Sequence, residues 1–346
     1  VEKQDALVAV RYVPGPRGVK LFLNAAARKP GATSAVEAAK AAFQEFDALV
    51  RREAGDRRSF DMMAANHERS SGGDLDLEHR KGAFTHNSYI WGVQAQAQVH
   101  TYLIRPSDDG EHLDAAIVRG FVGLRRVRPH IPWRISRFFT IDDTGHVRSD
   151  FTREPIDDGA GEVPLLRAFC SRPLPRVRRI VGQEGVIDYV LEESDVGNTR
   201  AVTCLTGELI RKAEPCYPDE RHAGLGAKTP LRTPSEAVVT DLYLDRNHFR
   251  DASPSLTLVS DMFAERLGMV YTKTDELPLA DPVETLGSAA EAPPVPEMPH
   301  YSEMIRHCFT QLGWDARQFN CYRVRVEYPP LPTALILDTP LPARPK

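Results

Sequence analysis

The chain has 346 residues, 42% of them hydrophobic and 27% charged, with a formal net charge of −4. Those values fit one large or two ordinary globular domains with a substantial core, and they exclude wholesale disorder. The near-balanced charge gives no whole-chain attraction to nucleic acid or anionic membrane. No apolar run reaches the roughly 20 residues that a spanning helix needs, so no membrane partner is expected.

The first ten residues, VEKQDALVAV, lack the basic-then-apolar pattern of a secretory signal. The five cysteines, Cys170, Cys204, Cys216, Cys308 and Cys321, are odd in number and widely spaced, with no CxxC. That pattern fits reduced thiols better than a disulfide framework, and a cytoplasmic setting is expected.

In chain order, ALVAVRYV and GVKLFLN read as two strands of a hairpin around the turn PGPR. Ser34 and Glu37 have capping-box spacing, and Phe43, Phe46 and Val50 then recur at helical intervals up to Gly55. The polar stretch from Arg57 to Lys81 reads as a long loop. In VQAQAQVHTYLI, Val93, Ala95, Ala97, Val99, Thr101 and Leu103 alternate with Gln94, Gln96, Gln98, His100 and Tyr102, the period of a strand. Ala115 to Leu124 and Trp133 to Ile141 follow as strands, the latter turning through DDTG into HVRSDF.

Beyond Pro164 the strand-like runs are RVRRIVG, VIDYVLEE, RAVTCLTGELI, EAVVTDLYL and SLTLVS. DMFAERLG suits a short helix. From Asp275 to Pro299 the chain carries six prolines and reads as a linker. Ser302 can cap a helix with Met304, Ile305, Cys308, Phe309 and Leu312 on its apolar face and Gly313 as its stop; YRVRVEY and TALIL are the last strands. The expectation is a β-rich α+β protein with mostly antiparallel sheets and about three helices packed on them. Residues 1–274 form its main domain, with a division near 155–165 left open, 275–299 the linker, and 300–346 a helix–strand segment. Those last 47 residues are too few to fold comfortably alone, so they are expected to pack back on the main sheet.

Chemical motifs fail one after another. RHAGLGAKTP has Lys228 and Thr229 but lacks the glycines of a phosphate-binding loop, and it reads as a mobile loop. HExxH would need histidine at Ser71. Asp74, Asp76 and Glu78 would share a face if extended, with His79 nearby, but they lack the pattern of a calcium loop, and a solvated acidic segment is the stronger reading. No GxSxG elbow or protease-like cysteine is present. No catalytic residue, metal or cofactor is therefore assigned.

What remains is a basic middle. Between Arg119 and Arg179 stand thirteen arginines, seven acidic residues and no lysine. Arg125, Arg126, Arg128, Arg134 and Arg137 interleave with aromatics including Trp133. Such a set serves salt bridges in the core, a protein interface, or single-stranded nucleic acid held by phosphate contacts and stacking. The row Gln94, Gln96 and Gln98 suits a long strand with a close partner in a sheet or another subunit. The leading expectation is a non-enzymatic protein that self-assembles as a homo-oligomer or with other subunits, such as a virion or particle component. The alternatives are an enzyme or binding domain for an anionic small molecule, and nucleic-acid binding through residues 119–137.

Overall fold

The computed structural model describes residues 13–70, 75–138, 153–157, 161–182, 187–192, 200–213, 224–260, 273–279, 281–291 and 293–340. The chain divides into two compact units, Val1–His79 and Arg80–Lys346. No helix among the described residues is long and apolar enough to cross a membrane.

The first unit is helical: α1 (Pro16–Ala26), α2 (Thr33–Ala54) and α3 (Arg57–Ser70). The expected second strand, GVKLFLN, is part of α1. Val19, Phe22, Leu23 and Ala26 carry a helical period as well as the alternation read above, and Pro16 at the first turn supplies a φ already suited to a helix. The first strand of that expected hairpin lies outside the described residues. In α2 the cap position is Ala32 without a side-chain bond, two residues ahead of the expected Ser34, while Gly55 ends the helix at φ +80°. The stretch from Arg57 is not a loop. Asp56 accepts from the Ser59 amide at 2.8 Å and so caps α3, and Phe60 meets Phe46 edge-on at 5.8 Å. Polar composition hid the helix; the aspartate three residues before a serine was its signal.

A fourth helix, α4 (Leu75–Trp91), runs across the division between the units into the first long strand. The strands of the second unit begin with β1 (Val93–Pro106), β2 (Leu113–Arg126), β3 (Trp133–Phe138) and β4 (Arg153–Pro155). There follow β5 (Val177–Val181), β6 (Ile187–Leu191), β7 (Val202–Ala213), β8 (Gly224–Leu231) and β9 (Ser235–Asp245). The last are β10 (Ser255–Ser260), β11 (Glu276–Leu277), β12 (Glu284–Ser288), β13 (Phe319–Glu327) and β14 (Thr333–Pro340), with α5 (Tyr301–Leu312) ahead of β13. The fold is thus α+β and strand-rich, with five α-helices among the described residues rather than about three. The expected turns DDTG and SDVGNT and the helix DMFAERLG lie outside those residues, the turn residues Ser194 to Thr199 included.

The described residues form three sheets: a seven-stranded one in the order β12-β13-β9-β1-β2-β7-β4, a four-stranded one, β11-β10-β14-β8, and a three-stranded one, β3-β6-β5. Among the described residues only β1 and β9 pair in parallel. The alternation read in the sequence sets the two faces of the large sheet. Ala97, Val99 and Leu103, with Ala116, Val118 and Val122 from β2, share one core with Met304, Ile305, Cys308 and Phe309 of α5. Tyr102 and Ile104 face the other way and pack with Leu335 and Leu337 of the four-stranded sheet. Because side chains alternate, a slip of one residue in β1 would exchange the two cores.

The RHAGLGAKTP stretch is corrected by this arrangement. Its residues from Gly224 onward are β8, an extended strand paired with β14, with Lys228 opposite Ile336. Arg221 to Ala223 lie outside the described residues. Extended backbone cannot wrap a phosphate, and the Lys228 carbonyl accepts a hydrogen bond from the Tyr102 hydroxyl instead.

The proline-rich stretch contributes β11 and β12, and the Pro293 and Pro294 carbonyls accept from the buried Arg323 guanidinium at 3.2 and 2.7 Å. In α5 the cap position is His300, not Ser302, and Gly313 closes the helix in the left-handed region at φ +67°.

Candidate interaction surface

The arginines and tryptophan singled out in the sequence gather where α4 hands over to β1. Gly92 makes that junction. Its φ is +74°, and an added Cβ would meet Ile131 Cγ1 at 3.0 Å and Arg128 Cβ at 3.3 Å, so both conformation and space require glycine. The Gly92 carbonyl accepts from the Val127 and Arg128 amides at 2.8 and 3.2 Å, which clamps the end of β2 to the end of α4.

Around this clamp the surface is apolar and aromatic. Tyr89, Ile90 and Trp91 are 68%, 65% and 45% exposed, and Val127 is exposed beside them. The Arg128 guanidinium lies 6.0 Å from the Tyr89 ring centroid, and Trp91 meets Trp133 edge-on at 6.0 Å. Trp133 is held from behind, its indole N–H donating to Thr233 Oγ1 at 2.8 Å. The patch therefore stands on a fixed platform.

The other candidates are mostly absorbed by the fold. Arg126 donates to the Ile131 carbonyl at 2.7 Å and to the Glu192 carbonyl at 2.6 Å, stitching the base of the three-stranded sheet to β2. Arg137 makes a two-pronged pair with Asp188 across β3 and β6, both bonds 2.8 Å. Arg134 sits opposite Val190 in the same pairing. Arg125 lies opposite Gln94, whose amide, turned so that its oxygen faces the guanidinium, accepts from Arg125 Nε at 2.9 Å. The five arginines thus point to different partners rather than to one phosphate-tracking groove. The glutamine row is likewise graded: Gln94 is half-buried, Gln96 exposed and Gln98 buried.

Asp76, Glu78 and His79 lie on α4, and Asp74 falls outside the described residues. In a helix, residues one or two apart do not face each other, so the shared acidic face expected of an extended segment is not formed. Among the described residues no group of three or more His, Cys, Asp or Glu side chains is placed to hold a metal ion. A shallow cleft of about 360 Å³ opens at the carboxyl ends of β1 and β9, lined by Arg105, Pro106, Asp245, Asn247, His248 and Gln318. Its charges are matched: Arg105 lies 3.3 and 3.6 Å from Asp108 and Asp114, and Asp245 accepts from the Asn247 and His248 amides, both at 2.9 Å.

Sequence reasoning missed Arg119, although it opens the basic stretch. It stands between Ile117 and Phe121 on one face of β2, while Ala116 and Val118 fill the other. An arginine flanked two residues away on both sides by large apolar side chains is the signal that it turns inward. Burial pushes its guanidinium down to about 10, and it lies 3.8 Å from the Phe138 ring centroid.

No protein-family model matches the chain, and no curated protein matches it. One solved structure, of a presumed protease from Parabacteroides distasonis, aligns at 7% identity over 72% of this chain with a TM-score of 0.30. The alignment spans 41% of that protein's length. At that level of similarity nothing about fold or activity transfers.

Proposed function

We propose that this chain is a non-enzymatic structural or interaction protein that associates with copies of itself through the surface at Tyr89, Ile90, Trp91 and Val127. The observation that carries the reading is the exposure of three consecutive large side chains on a backbone held rigid by Gly92. Contiguous apolar exposure of this kind is uncommon on the surface of a monomer, and tyrosine, tryptophan and arginine are the residues that dominate interface energetics. Burying each of the three contributes about 2 kcal/mol by area.

Two further features support it. The edge strand β5 leaves Ile180 and Val181 exposed, an invitation to pair with another chain. In the helical unit, Leu21, Phe22, Met62 and Met63 are also exposed. A location in the cytoplasm, or in a particle built from the chain, belongs with this reading.

Light scattering coupled to size exclusion tests it. A discrete oligomer should form, and Ile90→Asp or Trp91→Ser should dissociate it while leaving the circular dichroism unchanged. A strict monomer across the accessible concentration range, or an oligomer untouched by both substitutions, overturns the proposal.

A further inference from the structure

The outer side of β7 is covered by two pieces of chain. β4 pairs with Glu208 to Ile210, and the segment from Pro164 to Ser171 lies along Thr203 to Gly207. The Gly207 amide donates to the Pro164 carbonyl at 2.9 Å, the Leu166 amide to the Leu205 carbonyl at 3.0 Å and the Ser171 amide to the Thr203 carbonyl at 2.9 Å. The 3₁₀ turn Arg167–Phe169 interrupts this ladder. Where a carbonyl would stand, the Cys170 sulfur accepts from the Leu205 amide at 3.4 Å and lies 3.5 Å from the Leu205 carbonyl oxygen.

That slot sets Cys170 beside Cys204. Ser171 is bonded to Thr203 twice, its amide to the Thr203 carbonyl and its hydroxyl accepting from the Thr203 amide at 2.8 Å. The segment runs antiparallel to β7, so the residue before Ser171 meets the residue after Thr203. Side chains facing across such a pair lie about 4.5–5.5 Å apart at Cβ. Cys204 is fully buried in a core with Phe121 and Phe138, and Cys170 packs against that same core. Both sulfurs therefore lie on one side of the ladder, and the Cys204 thiol donates to the Cys170 sulfur. A disulfide needs Cβ atoms about 3.5–4.5 Å apart, a small shift from that spacing. Of the four described cysteines only Cys170 is not fully buried, so a reagent from solvent meets it first.

We propose that Cys170 is an oxidation site for hydrogen peroxide and that Cys204 resolves the product into a reversible disulfide. The Cys170 thiolate attacks one peroxide oxygen; an S–O bond forms as the O–O bond breaks, and the released hydroxide recovers the proton that Cys170 lost on ionising. The sulfur is oxidised to a sulfenic acid and the peroxide is reduced to water. The Cys204 sulfur then attacks the Cys170 sulfur, the S–S bond forming as the S–O bond breaks. The Cys204 proton leaves with the departing hydroxide as a second water, so one peroxide and two thiols give one disulfide and two waters. The surroundings favour the first step: the Cys204 thiol, the Leu205 amide and the Arg167 charge support a thiolate at Cys170, against burial and the Asp157 charge. The disulfide would pin the 3₁₀ turn to β7, next to α5, where the Phe169 ring lies 5.5 Å from that of His307. The inference does not rest on self-association.

Peptide mass spectrometry without reductant, on the native full chain treated with hydrogen peroxide, tests the inference. A Cys170–Cys204 linked peptide lighter by two hydrogens should appear, and dithiothreitol should restore both thiols. Free Cys170 should disappear at least about tenfold faster than Cys308 and Cys321. Cys204→Ser should instead leave a sulfenic acid at Cys170 that dimedone captures. Since that change could disturb the core, the wild-type linkage is the deciding measurement. Cys170 ending as a sulfinic acid with Cys204 still free, a linkage from Cys170 to any other cysteine of the same or another chain, or oxidation no faster than that of Cys308 overturns the proposal.

Discussion

Arg323 grips Asp241 with two parallel bonds inside the large sheet, Nε to Oδ1 at 2.8 Å and NH2 to Oδ2 at 2.7 Å. The aspartate is fully buried, and the Tyr301 hydroxyl donates to it at 2.6 Å from α5. Burial alone would lower the guanidinium's pKa, but the bonds and charge of Asp241 outweigh it and hold Arg323 above its ordinary value. The pair therefore joins β9, β13, α5 and the proline-rich stretch in one charged knot. Removing one partner leaves an uncompensated charge, so Asp241→Asn or Arg323→Met should cost about 3–5 kcal/mol in urea unfolding. The double replacement Asp241→Leu with Arg323→Met should cost less than the sum of the single changes.

How much of this was legible in advance differs by element. The alternation of β1 and β13 and the apolar face of α5 stand in the sequence because each element has one face against a core, so periodicity reports burial. The helices α1 and α3 were missed for different reasons: α1 carries two periodicities at once, and α3 carries its helical period on a segment that is polar overall. The knot was invisible because Arg323 and Asp241 are 82 residues apart and each reads as a polar position on an alternating strand. Only the pairing of β13 with β9, which sets Arg323 opposite Asp241, brings them together. The aromatic surface is half legible. Trp133 and Arg128 were on the page as candidates, but the exposure of Tyr89, Ile90 and Trp91 depends on where α4 ends.

Backbone approach makes a second prediction. Gly120 sits where β2 crosses β7 at φ +155°, and an added Cβ would lie 2.0 Å from the Cys204 carbonyl oxygen. That oxygen is backbone within a ladder and has little freedom to retreat. Gly120→Ala should destabilise the second unit by about 3 kcal/mol or more, whereas Gly161→Ala, with open space around it, should change stability by less than about 0.5 kcal/mol. Thermal melts of the two variants beside the wild type decide it.

His100 makes stability depend on pH in a defined direction. Its imidazole has an ordinary value of 6.5 and is lowered to about 3 in the folded chain, by burial and by the nearby Arg119 charge. As pH falls through 6.5, the unfolded chain takes up a proton that the folded chain refuses until about 3, so acid favours unfolding across that window. Between about pH 7.5 and about pH 5.5 the loss from this one group is about 1.4 kcal/mol. Chemical denaturation at both values, compared with His100→Asn, should show the wild type losing that much more than the variant. An equal loss in both proteins would place His100 in contact with solvent.

The cysteines should react in a fixed order. Cys170 lies beside β7, where the Leu205 amide donates to its sulfur at 3.4 Å. Its thiol is held below the ordinary value, first by the Cys204 thiol donating to it and further by that amide and the Arg167 charge, against the opposing effect of burial. Its partner Cys204 is raised correspondingly, and burial raises Cys308 to about 12 and pushes Cys321 up as well. The thiolate is the nucleophile, and Cys170 is also the one of these four that is not fully buried. Brief iodoacetamide treatment of the native chain followed by peptide mass spectrometry should therefore label Cys170 ahead of Cys204, Cys308 and Cys321, and Cys204→Ser should change its rate. Equal labelling of all four would mean that the native chain opens faster than the reagent acts, and that the Cys170–Cys204 contact has no hold on reactivity.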